Sequence, residues 1–95
     1  MNELQFDWDA GKAATNVRKH GVTFGEARTV FDDPNARPRY DYEHSITEER
    51  WRVVGLSTKL RLLAVIYAKS NETTIRIISA RRATKAETRG YALEG

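Results

Sequence analysis

Three groups of side chains could do chemistry, and all of them suit a phosphate. The first is Arg76, set inside an otherwise apolar run, Ile75-Arg76-Ile77-Ile78. A guanidinium there is costly unless it is paired or lines a cleft. It can clamp an anionic transition state, sit on an exposed sheet face, or pair with a neighbour such as Glu49. The second is Arg81-Arg82, just ahead of Thr84, where guanidinium forks meet a helix N-terminus. A solvated basic turn is the plainer reading. The third is Lys12, Asn16, Lys19 and His20, at helical spacing i, i+4, i+7 and i+8. That stripe could supply an acid or a base, or be the wet face of an amphipathic helix. Trp51 and Tyr91 could stack on bases or belong to packing.

Other chemistries find no support. The chain has no cysteine, which removes disulfides, thiolate metal sites and thiol nucleophiles. Its two histidines, His20 and His44, are not at ligand spacing, and Asp32-Asp33 and Glu48-Glu49 are adjacent pairs. No phosphate loop, dinucleotide fingerprint or nucleophile elbow occurs. No metal and no cofactor is expected.

Charge is unevenly spread over the 95 residues. Residues 1–49 carry six Lys/Arg against ten Asp/Glu, net −4, and residues 50–95 carry ten against three, net +7. The basic half favours arginine, which matches phosphate or carboxylate geometry. It points to an anionic partner, nucleic acid or acidic protein, or to ordinary surface pairing.

The elements that must position these residues follow from pattern. Leu4, Phe6 and Trp8 alternate as a short strand. Asp9 caps a helix over 10–20, with Ala10, Ala13, Ala14 and Val17 facing inward and Gly21 as its left-handed stop. Thr23 and Glu26 form a capping box for a helix over 24–32, with Ala27, Val30 and Phe31 on one face. Residues 32–38, with Pro34 and Pro38, read as a loop. Runs 50–56 and 59–68 form a hairpin about Ser57-Thr58, and 73–80 a further strand. In that strand Ile75, Ile77 and Ser79 face one way, and Arg76, Ile78 and Ala80 the other. Thr84 and Glu87 open a last helix ending near Leu93. The prediction is one α+β domain over 1–95, in the order β-α-α-β-β-β-α, with helices on a small antiparallel sheet. No signal peptide and no membrane span is read, so the expected compartment is the cytoplasm.

An ordered set of motifs also resembles a known family. Phe6-Asp7-Trp8-Asp9, Lys12, Asn16, Lys19-His20-Gly21-Val22 and Phe24-Gly25-Glu26-Ala27 are similar to the opening of BrnT toxins. Glu48-Glu49-Arg50-Trp51, Gly55 and the run from Ile75 to Thr84 resemble the rest, so the likeness spans about residues 6–92. The resemblance implies a RelE/ParE-like fold and a metal-independent ribonuclease toxin of a type II toxin–antitoxin system that arrests growth by cutting RNA. It implies a BrnA-like ribbon–helix–helix antitoxin, a toxin–antitoxin hetero-oligomer, and operator DNA bound only through the antitoxin.

Such cleavage needs a base for the 2′-hydroxyl, donors for the phosphorane and an acid for the leaving 5′-oxygen. On the resemblance, Arg76 and Arg81 fall to the phosphate, Lys12 and His20 to proton transfer or further charge, and Glu49 to a lesser base. Trp51, Arg82 and Tyr91 fall to RNA binding. A non-catalytic antitoxin-binding module and a ParE-like gyrase poison are the competing readings, because a shared fold does not determine function.

Overall fold

The computed structural model describes residues 3–94. Its elements are β1 (Gln5–Asp7), α1 (Ala10–His20), α2 (Phe24–Thr29), β2 (Arg37–Tyr40), β3 (Trp51–Leu56), β4 (Leu62–Lys69), β5 (Thr74–Arg82) and α3 (Lys85–Glu94). Single 3₁₀ turns follow α2 at Val30–Asp32 and β2 at Tyr42–His44. The sheet runs β1-β5-β4-β3-β2. Its pairs are antiparallel except β1 with β5, which is parallel. The α+β class therefore holds, with one strand more than expected. Among the described residues no helix is long and apolar enough to cross a membrane.

The local signals act as read. The Asp9 carboxylate accepts from the Lys12 N–H at 2.8 Å, and Gly21 closes α1 at φ 66° with its N–H on the Val17 carbonyl. Thr23 accepts from the Glu26 N–H at 3.0 Å. The Glu26 side chain does not complete the capping box. It turns inward to Arg61 and to the Ser57 hydroxyl at 2.7 Å, closing the β3–β4 turn. Those bonds to Arg61, with Ser57, hold its carboxyl below the usual range against the upward push of burial.

The core lies on one side of the sheet. Val22, Phe24, Ala27 and Val30 pack on Val53, Leu63, Val65, Tyr67, Ile75, Ile77 and Ala80. Of the expected inner stripe of α1, only Ala13 packs against this core, and Val17 is 44% exposed. Asn16 is buried in its place. Its amide donates to the carbonyls of Val22 at 2.9 Å and Ala80 at 2.8 Å, and accepts from the Ala80 N–H at 3.0 Å. The reason is strand length. β1 pairs only with Thr74–Arg76, so the rest of β5 has a bare edge. The helix covers that edge, and Asn16 supplies the partner a strand would have supplied.

Two further expectations are corrected. The Pro-bearing stretch is partly strand: Arg37–Tyr40 pairs with Trp51–Val54. The Asp41 N–H donates to the Arg50 carbonyl, so the N–H groups of Arg39 and Arg37 also turn to β3. Pro38 therefore turns its missing donor to the open edge, where proline is tolerated.

The alternation of β5 also breaks. Ile66 pairs with Ser79 but Tyr67 with Ile77, which leaves Ile78 as the extra residue of a bulge. Beyond it the phase inverts. Ala80 enters the core with Ile75 and Ile77, and Arg81 joins the face of Arg76. The expected grouping of Arg76 with Ala80 is thus replaced by Arg76 with Arg81.

Candidate functional site

Register places five arginines on the sheet face opposite the core. One row across the strands reads Arg39, Arg52, Ile66, Ser79, and the next reads Arg37, Val54, Ala64, Arg81. Arg76 stands beside Ala68, on the other side of the Arg39 row from the Arg37 row. Helices α1 and α2 contact β5 on the core side, whereas α3 contacts β3 and covers only one end of the arginine face. No described residue of α3 is buried, so it lies on the sheet without joining the core.

Among the described residues each of these arginines but Arg37 meets a carboxylate. Glu48 bonds Arg76 and approaches Arg50 at 3.5 Å. Glu87 grips Arg81 through two parallel bonds of 2.7 and 3.0 Å and reaches Arg52 at 3.4 Å. Glu94 pairs with Arg39, and its carbonyl oxygen accepts from Arg37 at 3.4 Å. The Arg81 fork, aided by the Thr84 N–H and outweighing burial, brings Glu87 down to about 2. Glu87 also completes the expected capping box, since its own N–H donates to the Thr84 hydroxyl at 3.1 Å. One carboxylate therefore starts α3 and anchors it to β5.

The sequence candidates fall into two neighbouring places. Lys12 and His20 line a groove of about 450 Å³ between α1 and β5, together with Lys19, Asn16 and Ser79. Arg76 and Arg81 lie on the arginine face. Ser79 belongs to both, because it lines the groove and stands between the two arginines in the face-side phase of β5. Among the described residues no three His, Asp or Glu side chains gather into a group that could hold a metal ion.

The remaining candidates lie apart. Glu49 is exposed, and the carboxylate on Arg76 is that of Glu48. Trp51 packs against the core, edge-on to Tyr40 at 5.4 Å, with the Lys69 ammonium 5.2 Å over its ring. Arg82 is exposed opposite Leu63, in the other phase from Arg81. Tyr91 lies on α3 and donates to Asp33 at 2.7 Å, and that bond holds its phenol above the usual range. Sequence reasoning did not single out Arg37, Arg39, Arg52, Glu48 or Glu87, which the structure brings to this face. The alternations Arg37-Pro38-Arg39 and Arg50-Trp51-Arg52 were the available signal.

Comparison with known proteins bears on this arrangement. The family model of the ribonuclease toxin BrnT of type II toxin–antitoxin systems matches residues 8–87. The crystal structure of the Brucella abortus ribonuclease toxin BrnT is similar in fold, with a TM-score of 0.66 and 24% sequence identity. The likeness covers 86% of this chain and 99% of that one. No curated protein matches the sequence.

Proposed function

The chain belongs to the BrnT family of ribonuclease toxins of type II toxin–antitoxin systems, and on that premise we propose that it cuts RNA without a metal on the arginine face. The supporting observation is the bulge at Ile78. It sets Arg76 and Arg81 on one open face, next to the groove that holds Lys12 and His20.

In this reading a base takes the 2′-hydroxyl proton, the 2′-oxygen attacks phosphorus, and the 5′-oxygen leaves with a proton from an acid. Arg76 and Arg81 donate to the phosphorane oxygens, where charge develops. Lys12 and His20 move protons or add charge from the α1 side. Glu48, the carboxylate that touches Arg76, takes the base role in place of Glu49. Trp51 and Arg82 serve RNA binding only outside this centre. The family implies an antitoxin, and we assign that role to a BrnA-like ribbon–helix–helix protein forming a hetero-oligomer with this chain in the cytoplasm.

Purified protein incubated with total RNA in EDTA tests the reading, beside Arg76→Ala and Lys12→Ala. Cleavage by the parent and a loss of about 10²–10⁴-fold in each variant is expected. Intact RNA with folded parent protein defeats it and turns attention to a binding-only toxin or a gyrase poison.

A further inference from the structure

Beneath α3 lies a cavity of about 300 Å³ that the cleavage centre does not use. Arg37, Arg39 and Arg52 line it from the sheet. Val54, Ala86 and Tyr91 give it an apolar side. Its size is at the lower end for small-ligand pockets. Arg37 and Arg81 share one row, three strand steps apart, or about 14 Å at the usual strand spacing. The cavity therefore lies on the same face as Arg76 and Arg81 without including either, and Glu87, which lines it, links it to Arg81.

We propose that this cavity is an RNA subsite, taking the phosphate and base of a nucleotide that flanks the cut, and that Glu94 fills the phosphate position in the free protein. This rests on the reading of the chain as an RNA-cutting toxin. Three observations support it. The guanidinium groups of Arg37 and Arg39 converge on one residue, Glu94, which bonds one through its carboxylate and the other through its carbonyl oxygen. Phosphate oxygens suit the same donors. Glu87 and Glu94 lie seven residues, two helical turns, apart, so α3 lays two anions along the arginine rows. The contact is also weakly anchored: Arg39 and Glu94 are 59% and 45% exposed. Exchange of Glu94 for a phosphate uncovers no core residue. An apolar wall beside three guanidiniums fits a nucleotide better than an acidic peptide, whose carboxylates need no flat apolar neighbour.

The test is fluorescence-anisotropy titration of a labelled, 2′-O-methylated single-stranded RNA, which cannot be cut, over a salt series. The proteins compared are the full chain, Arg37→Ala/Arg39→Ala and Glu94→Gln, each checked for native circular dichroism. Each lost phosphate contact reduces the slope of log K against log salt by about 0.7 for a single strand. The double variant should thus lower the slope by about 0.7 to 1.4 and bind several-fold more weakly. Glu94→Gln should bind more tightly, a gain that misfolding cannot imitate. Unchanged slope and affinity in the double variant, with RNA still bound by the parent, overturns the subsite alone. Absence of RNA binding by the parent overturns both this inference and the functional reading. A double variant that loses its antitoxin but keeps parental RNA binding overturns the subsite and assigns the face to protein.

Discussion

Asn16→Ala is the most informative single perturbation of this fold. The side chain satisfies three backbone groups, the carbonyls of Val22 and Ala80 and the Ala80 N–H, and it is 4% exposed. Truncation leaves all three without their partner. An orphaned buried group costs about 1–3 kcal/mol. The adjoining groove admits some water, so about 1 kcal/mol each, or about 3 kcal/mol in total, is the working figure. A chain of this length is stable by about 5–14 kcal/mol, so this is a substantial fraction. It corresponds to a fall in Tm of about 12–24 °C at about 4–8 °C per kcal/mol. Thermal melts followed by circular dichroism measure it, with urea titration to check that the m value is unchanged. Asn16→Asp sharpens the test. It still accepts from the Ala80 N–H but sets a carboxylate against two carbonyl oxygens. Its folded-state pKa is then raised, so the variant gains stability as pH falls and the protonated acid donates once. It should melt below Asn16→Ala near neutral pH and recover on acidification. A fall in Tm under about 4 °C for Asn16→Ala, or an Asn16→Asp variant as stable as the parent near neutral pH, refutes the strand-edge argument.

Two other predictions concern packing and charge. At Gly55 an added Cβ lies 2.7 Å from Val30 Cγ1 and 3.0 Å from Ala36 Cβ. Gly55→Ala should therefore cost about 1–3 kcal/mol in a denaturant titration, and a neutral result shows that the 3₁₀ turn gives way freely. Glu87, ordinarily at 4.5, is depressed to about 2 in the fold. A depressed carboxyl contributes fully above its unfolded pKa and loses that contribution as pH falls through the folded value. Glu87→Gln should remove about 1–2 kcal/mol near neutrality, after discounting for its half-exposed arginine partners, and flatten the acid limb between about pH 4.5 and 2. Coincident acid-unfolding curves for parent and variant count against the anchor.

What was readable in the sequence was local. Asp9, Gly21, Thr23 and the Thr84–Glu87 pair mark helix ends because a cap is made within a few residues of itself. The strand runs from Trp51 to Arg82 were readable for the same reason. What escaped depends on a neighbour. Pro38 looks like a strand breaker until it is known that β2 is the edge strand and pairs with β3 through its other side. Asn16 looks like part of a wet stripe until it is known that β1 ends before Ala80. The bulge at Ile78 is a property of the β4–β5 pair and leaves no mark in β5 itself. Arg76 and Arg81 stand out in the sequence by residue type alone. Strict alternation put them on opposite faces, and only the extra residue brings them together.

That shared face raises an electrostatic question which the acids answer. Five guanidiniums on one sheet face, three on the adjacent strands β2 and β3 and two on β5 beyond β4, repel one another, and a chain of this size has little stability to set against the repulsion. Glu48, Glu87 and Glu94 relieve it, yet none of the three comes from the sheet. Glu48 lies in the segment between β2 and β3, and Glu87 and Glu94 lie on α3. The counter-charges therefore sit on elements that can move without opening the core. An RNA strand on this face exchanges carboxylate for phosphate at each step, so part of every new bond replaces an old one. Affinity then depends on how many acids are displaced, as well as on how many arginines are present. Acid-to-amide changes should differ accordingly. Glu94→Gln frees an exposed pair and favours RNA. Glu87→Gln frees Arg81 but also removes the cap and anchor of α3, so its gain in binding is offset by lost order. A Glu87→Gln variant that binds the methylated RNA more tightly than Glu94→Gln, with α3 intact by hydrogen exchange, contradicts this division between placeholder and anchor.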